Sequence, residues 1–299
     1  MTTTLSPSPT LVTTSQRRAA LAALVSVVLW ASAFVGIRSA ATDYSPGALA
    51  FGRVTVGALV LGVIALRYRR PLPRGRTLGL VAAYGVGWFA GYTVVLNQVE
   101  HHLDAGTAAM LVNVAPILVA VFAGVWLSEG FPRPLVVGIS IAFVGVVIIG
   151  LGGSGGESVN GGGGILLGLL AAVLYASGVL LQKVALGRVD AVTATFLGCT
   201  IGAVVLAPFA PQFIAETAAA PADAVAVVVY LGVFPTAIAF STWAYALART
   251  NAGPMTATTL TVPAIVIVLS WMFLGELPTV LGMFGGALCL LGVAISRRR

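Results

Sequence analysis

Hydrophobic positions gather in ten runs of about 20 residues, separated by short polar or glycine-rich breaks. The runs cover 19–38, 46–66, 77–97, 104–127, 132–151, 164–183, 191–209, 222–246, 253–274 and 278–296. A helix of about 20 mostly apolar residues crosses a bilayer core of about 30 Å, so each run predicts a spanning helix. No run alternates with the period of two that a membrane barrel requires. The tract 152–163 is low in complexity and rich in glycine, and reads as a flexible linker between units 19–151 and 164–296. A tail, 1–18, precedes them, and three basic residues, 297–299, follow.

The two units repeat one another. Residues 105–150 align on 252–297 without a gap: Ala105-Gly106 meets Ala252-Gly253, Pro116 meets Pro263, Glu129 meets Glu276 and Gly138 meets Gly285. At a slightly shorter offset LWASAFVGIR (29–38) resembles LYASGVLLQK (174–183), and Phe51 falls on Phe196. Internal repeats in polytopic chains are typical of transporters, whose substrate site lies between the halves.

Composition and charge sharpen this. Apolar residues make up 59% and charged ones 8% of 299 residues, which no water-soluble core of this size needs. The net charge of +7 does not indicate nucleic acid, because the cations are sorted by side. With a cytoplasmic N-terminus, fourteen of sixteen Lys and Arg face the cytoplasm: Arg17, Arg18, the five arginines of 67–76, Arg133, Lys183, Arg188, Arg249 and the three terminal arginines. The opposite loops hold only Arg38, with acids including Glu100, Asp104, Glu216 and Asp223. This positive-inside pattern predicts a cell-membrane protein with both termini cytoplasmic. Five helices per unit then force the halves to insert in opposite senses. The expected fold is an all-α polytopic membrane protein with ten transmembrane helices as two inverted five-helix repeats.

Several motifs mislead. Arg17-Arg18, an apolar run and Ala31-Ser32-Ala33 imitate a secretory signal, but the triplet recurs as Ala176-Ser177-Gly178 in the matching helix. Gly152-Gly153-Ser154-Gly155-Gly156 matches a serine-hydrolase pattern without the strand-to-helix turn that strains the nucleophile. Gly85-x-Gly87-x-x-Ala90 mimics a dinucleotide fingerprint inside an apolar helix; there Gly79, Ala83, Gly87 and Gly91 read as a small-residue packing face. Cys199 and Cys289 read as small apolar fillers within helices, and no Cys/His spacing suits a metal.

Arg53 is the one charge well inside a predicted span. It costs about 2.5–3.5 kcal/mol at a helix centre, so it should face protein or water. It is either an anchor for a substrate carboxylate or phosphate, or a partner of helix-end carbonyls, Asp43 or Asp104. All nine acids fall in loops or at helix ends, which counts against a simple cation/proton antiporter built on a membrane carboxylate. Pro116 and Pro263 each remove a backbone donor at matching depth, freeing the carbonyls of Val112 and Thr259. They read as hinges, with Asn113 and a cluster of threonines in the preceding turns. Trp30 and Tyr175 correspond between repeats; the third helix adds Trp88 and Tyr92, and the eighth Ser241 and Tyr245. The candidate cavity residues are therefore Trp30, Arg53, Trp88, Tyr92, Asn113, Tyr175, Ser241, Tyr245 and Thr259. Glu129 and Glu276 read as caps for the helices that follow them.

LWASAFVGIR, SPGALAFGR, DAGTAAMLVNVAPILVAVFAGVWLSE and TLTVPAIVIVLSWMFLGELPT together resemble the EamA module of the drug/metabolite transporter superfamily. The resemblance covers the chain from about residue 20; the first copy departs from it with Ser128 before Glu129. It implies a ten-helix carrier with a central cavity, moving amino acids, other small metabolites or drugs, commonly outward, and matches Arg53 to the arginine of the second-helix motif. The reading is a non-enzymatic carrier of small organic solutes, with no cofactor, that exports by alternating access. Its partners are the solute, the bilayer and a coupling proton, not nucleic acid, and it works as a monomer or homodimer. The rival is an exporter of lipophilic drugs, which would need a wider, more aromatic, less polar cavity. A membrane-embedded enzyme or a non-transporting scaffold is the reading from another class.

Overall fold

The computed structural model of the chain describes residues 9–68, 70–126, 130–152, 161–275 and 280–296. Among them there is no strand, and the helices follow one another as ten rods. These are α1 (Pro9–Ala40), α2 (Pro46–Tyr68), α3 (Gly75–His102), α4 (Ala105–Val112 and Ala115–Trp126), α5 (Arg133–Gly152) and α6 (Gly161–Leu186). The rest are α7 (Ala191–Val205 with Ala210–Ala219), α8 (Ala222–Leu247), α9 (Ala252–Leu274) and α10 (Val280–Ser296). Seven, drawn from α1 to α4, α6, α8 and α9, are long and apolar enough to cross a membrane, and the bent α7 makes eight. Arg133–Gly145 in α5 and Met283–Ser296 in α10 are shorter apolar stretches.

α1 begins at Pro9, inside the stretch read as a tail, and three further boundaries differ from the hydrophobic pattern for a local reason. α7 bends by 52° instead of running straight through 191–209. Pro208 and Pro211 both lack an N–H, so the chain passes through a 3₁₀ turn, Ala207–Phe209, before helix resumes. α3 continues past residue 97 to His102, because polarity ends a hydrophobic run without ending a helix. α6 begins at Gly161, inside the tract read as linker. Residues 153–160 of that tract, and the caps assigned to Glu129 and Glu276, lie outside the described residues.

α3 and α8 each widen into a π-helix at matching places, Gly85–Tyr92 and Gly232–Ile238, with starts 147 residues apart as in the sequence repeat. Both starts are glycine because another helix passes too close for a side chain. A Cβ on Gly85 would lie 2.6 Å from the Gly198 carbonyl oxygen of α7. One on Gly232 would lie 2.5 Å from Val56 Cβ and 2.8 Å from the Arg53 carbonyl oxygen of α2. Each half thus presses its wide-turned helix onto the second helix of the other half. The widened turns leave carbonyls to which hydroxyls five residues on donate: Thr93 to Trp88 O (3.4 Å) and Thr236 to Leu231 O (2.8 Å). The face Gly79, Ala83, Gly87, Gly91 is not the tight one, since a Cβ on Gly79 or Gly87 would meet nothing within 4 Å. The π turn rotates the register and puts Gly85 at the contact instead. The most extensive helix pair is α5 with α10, where Gly138 and Gly292 each lie against the other's backbone.

The loops sort into two groups at opposite ends of the bundle. At one end Arg38 Nη1 donates to Glu100 O (2.9 Å), Ser45 N to Glu216 Oε2 (2.9 Å) and Tyr44 Oη to Thr217 Oγ1 (3.3 Å), while Gly164 lies beside Leu103. At the other, Lys183 Nζ donates to Leu247 O (2.9 Å) and to Thr250 O. Arg38 and Lys183 are repeat equivalents, and so are residues 100 and 247.

Candidate functional site

The site is built where α4 and α9 lose their regular backbone. Asp104 starts α4 by accepting from Thr107 N (2.9 Å) and Thr107 Oγ1 (2.7 Å). The helix runs to Val112, then turns through Asn113 and Val114 before resuming at Ala115. Pro116 cannot donate, and Asn113 Nδ2 turns back to Ala109 O (2.7 Å), so a carboxamide supports the break. In α9 the matching turn is a 3₁₀ segment, Ala257–Thr261, with Pro263 in the first turn of the helix that follows. Hydroxyls do the same work there: Thr258, Thr259 and Thr261 each donate to the carbonyl three residues back, at 2.7, 2.8 and 2.8 Å. α9 ends at Gly275, whose φ of +68° suits a residue without Cβ.

Between these breaks lies a cavity with an empty volume of about 550 Å³, counted to its mouth. Seven of the nine cavity candidates line it: Trp30, Arg53, Trp88, Tyr92, Asn113, Tyr175 and Thr259, together with Pro116. Both halves contribute. The repeat equivalents Trp30 and Tyr175 meet edge to face at 6.1 Å, and Trp88 packs on Tyr175 at 5.1 Å and on Phe240 at 5.0 Å. Trp30 donates its indole N–H to Pro235 O (3.2 Å), a carbonyl within the π turn of α8. Beneath, Ser26 ties α1 to α8 through Ala239 O (3.0 Å) and Thr242 Oγ1 (2.8 Å), and Trp243 fills the floor 4.8 Å from Trp30.

Arg53 is 5% exposed, and its Nε reaches Thr236 Oγ1 at 3.4 Å. Its Nη1, Asn113 Oδ1 and Trp88 Nε1 are buried without a hydrogen-bond partner among the described residues. A buried polar atom left unpaired costs about 1–3 kcal/mol, more when charged, and three of them around one void are what a polar ligand would satisfy.

Ser241 and Tyr245 do not line the cavity. Ser241 donates to Ala237 O (2.7 Å), while Arg249 lies 3.6 Å over the Tyr245 ring and donates to Tyr245 O (2.8 Å). The preceding π turn shifts α8 so that Phe240 faces inward, and its neighbour Ser241 is rotated about 100° away. Pro263 is buried but off the lining. The sequence reading missed Ala33 and Phe34 of α1, Thr93, Leu96, Val112, Phe240 and Val262; Thr93 and Leu96 were within reach, continuing the stripe of Tyr92 on α3.

A helical bundle with a cavity lined from two repeated halves is the build of a polytopic membrane transporter. The EamA-like transporter family matches the chain twice, over residues 17–151 and 162–298, and the chain belongs to it, within the drug/metabolite transporter superfamily. A "Probable terminal-alkyne amino-acid exporter" of Streptantibioticus cattleyicolor is 34% identical over 94% of both chains. An uncharacterised transporter of Bacillus subtilis, YdfC, is 33% identical over 90% of this chain and 87% of its own. A crystal structure superposes with a TM-score of 0.73 at 20% identity, over 93% of this chain and 97% of the other, which shows the fold alone. The chain is therefore a multi-pass membrane protein and a transporter.

Proposed function

We propose that the protein exports small organic solutes, amino acids or related metabolites, across the cytoplasmic membrane by alternating access between two inverted five-helix repeats. One observation carries the solute class: one cavity is lined both by Arg53 and Asn113, with Nη1 and Oδ1 unsatisfied, and by the rings of Trp30, Trp88 and Phe240. That set suits an amino acid: the guanidinium donates to a carboxylate, the carboxamide oxygen accepts from an ammonium group, and the rings take an apolar body. The export direction follows the amino-acid exporter to which the chain is similar. Pro116 and Pro263, beside the irregular turns of α4 and α9, are the hinges on which the cavity changes its open side.

Purified protein in liposomes should exchange labelled amino acids with large apolar side chains for unlabelled ones, and their uncharged amides poorly. Movement of lipophilic cations with no amino-acid exchange would replace this reading with the drug exporter.

The inverted ten-span topology is supported by the loops themselves. Those assigned outside, at Arg38, Asp104 and Glu216, meet at one end, and those assigned inside, at Lys183 and Thr250, meet at the other. Both termini are then cytoplasmic. In a background lacking Cys199 and Cys289, Leu72→Cys should react with an impermeant reagent only from the cytoplasmic side and Ala222→Cys only from outside. Reaction of both from one side would end the inverted arrangement.

A further inference from the structure

Glu100 is 0% exposed, although the sequence pattern sets it in a loop. The extension of α3 to His102 brings it inside, on the stripe of Tyr92 and Leu96 that leads from the cavity toward the Arg38 end. Arg38, at the end of α1, holds the carbonyl of this same residue at 2.9 Å. The second half repeats the arrangement at the opposite end, where Lys183 holds the carbonyl of Leu247, also 0% exposed. Capping the end of the third helix of a repeat therefore needs a cation and a carbonyl, and no acid. A carboxylate at that position is costly twice over: it is removed from water, and it sits at a helix C-terminus, where the macrodipole disfavours negative charge.

We infer that Glu100 is a proton-binding site whose charge governs the Arg38 end of the cavity. The ionised carboxylate attracts the Arg38 guanidinium, which already holds the carbonyl of the same residue, and so keeps the ends of α1 and α3 together. Uptake of one proton converts –COO⁻ to –COOH and removes that attraction, so this end opens. The Lys183 end has leucine at the matching place and does not respond. The other charged or titratable groups here are Tyr92, which feels the charge of Glu100, His101 and His102 on α3 itself, Asp43 and Tyr44 in the turn before α2, Asp104 at the start of α4 and Glu216 of α7. α6 brings Gly164, against Leu103 and His102, and the apolar Leu167 and Ala171. Asp43, Asp104 and Glu216 are only partly buried, which leaves Glu100 as the deeply buried acid of the group. Asn97, one turn earlier and equally buried, presents an Oδ1 without a partner among the described residues, a polar neighbour for the proton.

The test needs no known solute, so it stands apart from the export reading. Infrared difference spectra of the protein in vesicles between about pH 5 and pH 9 should show a buried carboxylic-acid band. The band should vanish in Glu100→Gln and in Glu100→Leu, the residue of the second half, and persist in Asp104→Asn, Glu216→Gln and His101→Gln. In parallel, Phe34→Cys in the cavity, in a background free of other cysteines and normalised to Ala222→Cys, should react from the Arg38 end at least about tenfold faster at the acid limit. In Glu100→Gln that rate should stay high at every pH. A band that survives Glu100→Gln, or a pH response of Phe34→Cys that survives both Glu100 variants or follows His101, overturns the proposal. Intact pH-dependent labelling without any solute exchange would sink the export reading and leave the proton site standing.

Discussion

Gly85→Val and Gly232→Val are each expected to lose most of the folded protein, while Gly87→Ala leaves its thermal stability within a degree or two. The contrast comes from what lies where a side chain would go. At Gly85 the obstacles are the carbonyl oxygen, Cα and carbonyl carbon of Gly198, all backbone, at 2.6 to 3.2 Å. At Gly232 they include the Arg53 carbonyl oxygen, so the clash would also displace the helix that presents the Arg53 side chain to the cavity. A side chain tip can swing away; a helix backbone cannot. Overpacking of this kind costs about 1–3 kcal/mol even where the structure relaxes, and here two contacts between the halves would have to separate. Gly87, two residues on, has open space within 4 Å, and replacing glycine by alanine in a helix recovers about 1 kcal/mol of backbone preference. Melting of the detergent-solubilised variants, followed by size exclusion, measures this. Equal losses at Gly85 and Gly87 would show that the close crossing of α3 on α7 is not what holds the halves together.

How far the chain could be read in advance follows from which forces leave a local mark. Spanning helices are written in long apolar runs, and the repeat in residues such as Pro116 and Pro263, so the helices and the kinship of the halves were legible. The π turns were not. Face assignment assumes 3.6 residues per turn; nothing in GVGWFAGY states a wider one, and in GVFPTAI only Pro235, which has no N–H to give, marks a break in the ladder. Ser241 and Tyr245 were misfaced for that reason, while Trp30 and Tyr175, ahead of any such turn on their own helices, were not. Glu100 was misread for the opposite reason, because a hydrophobic scan equates charge with solvent. Its burial depends on α1 supplying Arg38 from 62 positions away, which no window on α3 contains. The bend of α7 was readable, since Pro208 and Pro211 stand in plain view, but a mostly apolar run concealed it.

Arg53→Gln should weaken binding of a carboxylate-bearing solute by about 10- to 100-fold and erase the preference for an acid over its amide. The size follows from the 1.5–3 kcal/mol that a hydrogen bond to a charged group contributes. Arg53 is held in place by one long bond, Nε to Thr236 Oγ1 at 3.4 Å, so its guanidinium is only partly engaged within the protein. Nη1 remains without a partner at the edge of the cavity, with Asn113 Oδ1 as a second unsatisfied polar atom. A cation whose task was to tie α2 to α8 would use its fork on that neighbour. Arg53→Lys keeps the charge and loses the planar geometry, so it should retain intermediate affinity with discrimination intact. Thermal stability separates this from a structural role. Burying arginine in a span is costly, so glutamine at this place should leave the melting temperature unchanged or raise it. If Arg53 instead held the helices, both variants would melt earlier in step with their loss of transport, and acid and amide would suffer alike. Competition by acid and amide pairs in liposomes, measured beside the melting of the same preparations, distinguishes the outcomes. A stable glutamine variant that still prefers the acid would remove Arg53 from the binding site.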